Sequence, residues 1–259
     1  MPVFLFDDLI FGPVRSRRLG VSLGINLLPL HRKLCSFDCL YCECGWTRNR
    51  NPLKTELPTA EELAFLLGNK LNELKGTDLQ PDSITFAGNG EPTLHPEFAK
   101  VISDTLSLRD RFAPTAKVSV LSNGSMLHLP EVVEALKTVD NNLLKLDGGR
   151  EETIRAINMP LKAFRLHDYV RQLQLFDGNL IIQTLLLRGT YKGRTIDNTT
   201  TQEINAWIGL LQQIRPQRVM VYAIERDTPA EGLIRICKEE LETVARRVQD
   251  AGIEAEVFA

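Results

Sequence analysis

The sequence predicts an α/β fold on parallel strands, a partial (βα)6 barrel open on one side. Three observations carry that expectation. Six short β-rich runs recur along the 259 residues, separated by stretches with helical periodicity. Most of these runs are near-continuously apolar, as strands covered on both faces are. Strands alternating with helices join through right-handed crossovers into a parallel sheet. A closed eight-stranded barrel would need two further βα units that the pattern does not supply.

The elements follow in order. Val21–Leu27 is the first strand, and a cysteine-rich loop follows it. Thr59 with Glu62 forms a capping box that opens a helix through Leu63, Leu66, Leu67 and Leu71. Ser83–Ala87 is the second strand, and Pro96 suits the first turn of a helix carrying Phe98, Val101, Ile102 and Leu106. Lys117–Leu121 comes third, before a shorter helix after Leu129-Pro130 with Val132, Val133 and Leu136 inward. Asn142–Leu146 is the fourth strand, and a helix over 161–176 ends at Asp177-Gly178. Leu180–Leu187 is the fifth, followed by a second capping box, Thr200 with Glu203, on a helix through Trp207 and Leu211. Arg218–Ile224 is the sixth, and Lys238 to Asp250 forms the last long helix, stopped by Gly252. The expected organisation is one domain over 1–259: an extension over 1–20, six βα units over 21–226, and a helix with a short strand over 227–259.

Composition narrows the function classes. Apolar residues at 43% and charged residues at 25% describe a globular protein, with no run near the roughly 20 apolar residues of a membrane helix. The start, Met1-Pro2-Val3-Phe4-Leu5-Phe6-Asp7-Asp8, lacks the basic flank and cleavage site of a signal peptide. A cytoplasmic protein with reduced thiols is expected, with no membrane partner. The net charge of −2 hides an asymmetry, because residues 1–54 hold eight Lys/Arg against four Asp/Glu. Arg15, Arg17, Arg18, Arg32, Lys33, Arg48 and Arg50 flank the cysteine loop. They suit either an anionic substrate or an ordinary solvated surface.

The chemistry concentrates in Leu34-Cys35-Ser36-Phe37-Asp38-Cys39-Leu40-Tyr41-Cys42, a C-x3-C-x2-C run. Three thiolates on one loop suit a soft metal site: zinc, copper(I) or iron–sulfur iron. Structural zinc needs four ligands, for which Cys44 or His31 would be candidates. A 4Fe–4S cluster held by three cysteines leaves one iron free to bind something else. The loop follows the first strand, which places it at the carboxyl ends of the strands, where α/β folds carry their sites.

This run, including Tyr41 before the third cysteine, resembles the radical S-adenosylmethionine (SAM) superfamily. Gly88-Asn89-Gly90-Glu91-Pro92 after the second strand resembles that superfamily's glycine-rich GGEP element, with Asn in its second position. Leu121-Ser122-Asn123-Gly124 resembles its T-N-G or S-N-G turn. Phe11 to Gly20, FGPVRSRRLG, resembles the opening of short proteins related to tRNA wyosine synthases. The resemblance implies a 4Fe–4S cluster on Cys35, Cys39 and Cys42, with the free iron binding the amino and carboxylate groups of SAM. An electron from the reduced cluster would break a C–S bond to give methionine and a 5′-deoxyadenosyl radical that abstracts a substrate hydrogen. A low-potential donor such as flavodoxin or ferredoxin is implied, and the substrate, small molecule or RNA, stays open. The alternatives are a wyosine-type tRNA-modifying enzyme and a non-enzymatic metal-binding protein on the same fold.

The remaining candidates have two readings each. Gly88, Asn89 and Gly90 form either a tight turn or a close backbone approach to SAM. Glu91 is an exposed charge or a polar ligand contact, and Ser122 and Asn123 cap a turn or meet the SAM ribose or carboxylate. Asp147 ends the fourth strand as a turn residue or a ribose or substrate ligand, with Lys145 two residues earlier on the same side. Gln183, Thr184, Arg188, Tyr222 and Glu225 are substrate-pocket candidates on the fifth and sixth strands. His95 is the best functional histidine, and His128 and His167 read as surface or loop residues. Cys44 is expected to stay off the cluster, and Cys237 to be a buried small apolar residue.

Overall fold

The computed structural model describes residues 4–16, 18–47 and 57–259. The chain divides into two compact units, one of Leu5–Cys35 and Thr47–Asn142 and one of Met1–Phe4, Ser36–Trp46 and Leu143–Ala259. Arg17, Arg48 and Arg50 lie outside the described residues.

The first unit holds β1 (Ile10–Ser16), β2 (Gly20–Ile25), α1 (Ala60–Leu74), β3 (Ser83–Phe86), α2 (Phe98–Phe112), β4 (Lys117–Ser122) and α3 (Pro130–Lys137). Its strands lie in the order β1-β2-β3-β4, parallel except for the β1–β2 pair. The capping box on α1 forms as expected, with the Glu62 amide donating to Thr59 Oγ1 at 3.1 Å. The helix then buries Leu63, Leu67 and Leu71. Two details differ from expectation. The helix after Pro96 starts at Phe98, because Pro92–Leu94 already makes a 3-10 turn capped by Glu91. The segment Ile10–Ser16 is a strand, made possible by the lack of a side chain at Gly24, where the Phe11 ring lies 2.1 Å from the position of a Cβ. Within the sheet, Ser22 and Thr85 bond at 2.8 Å, Ser83 and Thr85 at 3.0 Å, and Ser83 and Ser119 at 2.9 Å. Buried hydroxyls are thus satisfied by one another.

The division between units falls within β5 (Asn141–Lys145). The second unit continues with α4 (Glu151–Asn158), α5 (Leu166–Gln174), β6 (Ile181–Leu185), β7 (Leu187–Tyr191), β8 (Arg194–Asp197), α6 (Thr201–Ile214), β9 (Arg218–Tyr222), β10 (Leu233–Arg235), α7 (Lys238–Asp250) and β11 (Ala255–Phe258). Strands β5-β6-β9-β11 are parallel neighbours, and β10-β7-β8 form a separate antiparallel sheet.

The expected fifth strand is cut at Leu185. There Asp147 Oδ1 accepts from the Leu185 amide at 2.9 Å, and Asn198 accepts from the Leu187 amide and donates to the Leu185 carbonyl, both at 2.8 Å. These side chains replace the parallel partner and send the chain into β7. The expected helix over 161–176 is confined to Leu166–Gln174, because Met159 at φ +40 ends the unforeseen α4 and Pro160 follows it. The second capping box and the last helix form where expected, with Gly252 at φ +82. Among the described residues, no helix is long and apolar enough to cross a membrane.

Two glycines give opposite predictions. A Cβ on Gly149 would lie 2.1 Å from the Trp207 amide nitrogen, whereas one on Gly209, within α6, meets nothing within 4 Å. Gly149→Ala should cost roughly 1–3 kcal/mol in urea unfolding, and Gly209→Ala should add roughly 0.5–1 kcal/mol.

Candidate functional site

In the first unit the glycine-rich turn is built by protein contacts. Leu34 bridges Gly90, with the Leu34 amide donating to the Asn89 carbonyl at 2.8 Å and the Glu91 amide to the Leu34 carbonyl at 3.1 Å. A Cβ on Gly90 (φ +146) would sit 1.8 Å from the Leu34 carbonyl oxygen, and one on Gly88 would sit 2.3 Å from Asn26 Oδ1. Both glycines are therefore required by the chain itself. The fully buried Asn89 side chain accepts from the Phe6 amide at 2.8 Å and donates to the Phe6 and Pro29 carbonyls at 2.8 and 3.0 Å. Asn26, which no motif marks, accepts from the Asn89 amide at 3.1 Å and from the Leu28 amide at 3.2 Å.

Glu91 is a buried clamp rather than an exposed charge or an open ligand arm. Its oxygens accept from Thr93 N at 3.1 Å, Thr93 Oγ1 at 2.5 Å, Ser122 Oγ at 2.8 Å and Asn123 N at 2.6 Å. Burial pushes its carboxyl pKa up, against the pull of those donors. The clamp ties the glycine turn to the Ser122-Asn123 turn. From there Asn123 Nδ2 donates to Cys35 Sγ at 3.6 Å.

The second unit holds Cys39, Tyr41 and Cys42. The Cys42 amide donates to the Cys39 carbonyl at 3.1 Å, and the Gly45 amide to the Cys42 carbonyl at 2.9 Å, so two successive turns carry the loop. Tyr41 Oη donates to Asp147 Oδ2, and Lys145 Nζ donates to Tyr41 Oη at 2.5 Å and reaches Asp147 at 3.4 Å. Asn158 Nδ2 donates to Asp147 Oδ2 at 2.7 Å and to Cys39 Sγ at 3.4 Å. Burial, then the Asp147 charge, pushes the Tyr41 phenol well above the usual 10.0. Burial alone would lower Lys145, but Asp147, with Tyr222 and Cys39, outweighs it and holds the ammonium well above 10.5.

Register settles which strand residues join this group. Lys145 pairs with Gln183, and Gln183 with Met220, so Gln183 shares the Lys145 face. Thr184 is on the other face and donates to the Leu146 carbonyl at 2.8 Å. Three expectations are corrected. Glu225 lies beyond the end of β9 and is exposed. Arg188 pairs with Glu240 rather than pointing to a ligand role. Cys237 is exposed before α7, donating to Glu240 Oε1 at 3.4 Å, rather than buried.

Comparison with known proteins bears on this arrangement. A family model described as the radical SAM superfamily matches residues 31–197. The chain belongs to the radical SAM superfamily. A UPF0026 protein of Helicobacter pylori is 32% identical over 84% of this chain and 67% of its own length. A protein named GTPase Obg from Brachyspira hyodysenteriae is 30% identical over 96% of this chain, which spans only 34% of that protein. Among solved structures, a radical SAM methyltransferase from Sphaerobacter thermophilus matches with a TM-score of 0.65 at 15% identity, over 92% of this chain and 65% of that one. A TYW1 with a lysine–pyruvate adduct bound matches with a TM-score of 0.55 at 14% identity, over 88% and 73%. At these identities the structures support the α/β fold class.

Membership of this superfamily implies an iron–sulfur cluster and SAM as cofactors. The donor chemistry fits a cluster. Cys35, Cys39, Cys42 and Cys44 are in no disulfide, and amide N–H groups face the sulfurs of Cys35 and Cys39. Such hydrogen bonds stabilise thiolate ligands. Among the described residues, no three His, Cys, Asp or Glu side chains gather as ligands of a single ion.

His95 has a structural role. Its Nε2 faces the Pro58 carbonyl at 2.8 Å, and its Nδ1 accepts from the Glu97 amide at 3.2 Å, so the neutral ring carries its proton on Nε2. Burial lowers its pKa below the usual 6.5. A depressed folded pKa means that its contribution is fully present above 6.5 and is lost as the pH falls through the folded value. Urea midpoints should therefore fall more steeply between about pH 7.5 and 5 in the wild type than in His95→Gln.

Proposed function

We propose that the chain, over 1–259 as one catalytic domain, is a radical SAM enzyme whose Cys35, Cys39 and Cys42 hold a 4Fe–4S cluster with one iron open to SAM. The observation that carries the reading is the pair of asparagine donors on cysteine sulfurs, Asn123 to Cys35 and Asn158 to Cys39, inside the matched family segment. When bound, the cluster and SAM together supply reductive cleavage to methionine and a 5′-deoxyadenosyl radical, which takes a hydrogen from the substrate. This chain's residues bind and orient. The backbone at Gly88–Gly90 and the side chains of Ser122 and Asn123 are proposed to meet SAM. Glu91 acts through them by fixing both turns. Tyr41 and Asp147 anchor the cysteine loop, and Lys145 supplies a fixed positive charge. The electron donor is proposed to be a flavodoxin or a ferredoxin, and the location the cytoplasm.

The adduct in the TYW1 structure raises the question of whether Lys145 acts as a nucleophile. A Schiff-base lysine needs its amine unprotonated at working pH. Lys145 Nζ is paired with the buried Asp147 and with Tyr41, and we assign it electrostatic work. The TYW1 likeness keeps a tRNA substrate as the second reading, for which salt-sensitive tRNA binding is the test.

Anaerobically reconstituted protein should bind about four iron atoms and release 5′-deoxyadenosine from SAM under strong reductant. Replacing Cys35, Cys39 and Cys42 together by Ala should abolish both. SAM cleavage that survives the triple replacement would sink the proposal. Cys44→Ala should retain iron and cleavage, because Cys44 is not counted among the ligands.

A further inference from the structure

We propose that Asn158 is a positioning residue that sets the electron affinity of the iron–sulfur centre through Cys39. The inference rests on the reading of the three cysteines as cluster ligands, and it concerns a residue that belongs to no motif.

Asn158 is the last residue of α4 and is 1% exposed. Its Nδ2 stands 2.7 Å from Asp147 Oδ2 and 3.4 Å from Cys39 Sγ. A primary amide nitrogen has two N–H bonds, and each finds an acceptor here. A carboxylate and a cluster thiolate both only accept, so the reverse orientation would aim a carbonyl oxygen at two anionic groups. The orientation is therefore fixed by chemistry. It is also fixed by position, because Asp147 Oδ1 is held by the Leu185 amide at 2.9 Å.

The distance to sulfur is fixed as well. The cysteine loop is laced to the end of α4 by backbone bonds. Leu40 N donates to Ile157 O at 2.9 Å, Asp38 N to Met159 O at 3.2 Å, and Leu161 N to Ser36 O at 2.9 Å. Phe37 bridges Pro160 in the same ladder. Neither partner can drift without breaking that ladder. An N–H donor stabilises negative charge on a ligand sulfur, and reduction of the cluster adds such charge. The Asn158 amide therefore favours the reduced state, in which the cluster can pass an electron to SAM.

The test compares the reduction potential of reconstituted wild type with that of Asn158→Leu, followed by electron paramagnetic resonance at equal iron content. Loss of the donor should shift the reduction equilibrium about tenfold toward the oxidised cluster, a midpoint lower by about 59 mV for one electron. Asn158→Met, of similar length but without an N–H, should shift it in the same direction. It carries the test if the leucine variant does not load iron. Variants that load as wild type does, with an equilibrium within about threefold of it, overturn the proposal. Loss of iron from both variants, with apo proteins melting as wild type, also overturns it, since Asn158 would then serve assembly. Wild-type protein that binds no iron overturns the cluster reading itself, and the two failures are distinguishable.

Discussion

Asp147 is fully buried, and an ionised carboxylate out of water is tolerable only when its lone pairs are filled. Filling them organises the second unit. The Leu185 amide comes from the end of β6, the Tyr41 hydroxyl from the cysteine loop, and the Asn158 amide from α4, with Lys145 as the counter-charge. The backbone at Asp147 is held too, because Asn198 donates to its carbonyl at 2.8 Å. Where β6 stops, where the loop docks and which way Asn158 points thus follow from one desolvated charge. Removing it would leave several buried donors without partners, each costing about 1–3 kcal/mol.

The first unit solves the same problem with the same chemistry. Glu91 is buried with four donors, and one of them is the amide of Asn123. That residue's side chain then faces Cys35, as the side chain of Asn158 faces Cys39. In each unit an acid fixes an asparagine, and the asparagine presents an N–H to a cysteine sulfur. The acids differ in where their hold acts. Glu91 holds Asn123 by its backbone and leaves the side chain to the turn, where Asn123 Oδ1 also accepts from Ser125 N at 2.9 Å. Asp147 holds the donating amide itself. The Asn158 donor is accordingly the more tightly oriented of the two.

Much of the first unit could be read from the residues because its signals are local. Thr59 and Glu62 lie three apart, the β3 and β4 runs are apolar, and the Glu91 and Asn123 turns sit at strand ends. What escaped depended on distant partners. Ile10–Ser16 carries Gly12 and Pro13, poor strand residues, and pairs only because Gly24 gives way to the Phe11 ring. Leu180–Leu187 reads as one apolar run, and nothing local says that Asp147 and Asn198 will cut it at Leu185. Helix α4 is only eight residues long and has no side-chain cap. Its start is set instead by Glu203, on α6, which accepts from Gly149 N and Arg150 N at 2.7 and 3.1 Å and from Thr153 Oγ1 at 3.0 Å. Because α4 was hidden, Asn158 was hidden with it. The one available signal was the Gly148-Gly149 pair after Asp147, which announces close packing without naming what packs.

Charge explains why this group can sit beside the Cys39 sulfur. Lys145, Tyr41 and Asp147 together carry no net charge while the phenol keeps its proton, and burial beside a carboxylate keeps it there. A thiolate at Cys39 adds negative charge to that neighbourhood. Lys145 responds to it, since Cys39 is among the groups that hold its ammonium. A neutral amine at this position would leave the buried Asp147 carboxylate without a counter-charge beside the Cys39 sulfur. The ammonium makes their proximity tolerable, and the asparagine, with one N–H for each, keeps them in register. An uncharged residue in place of Lys145 would undo the first of these conditions while leaving the second intact. The cost would fall on Asp147, a buried carboxylate left without its counter-charge.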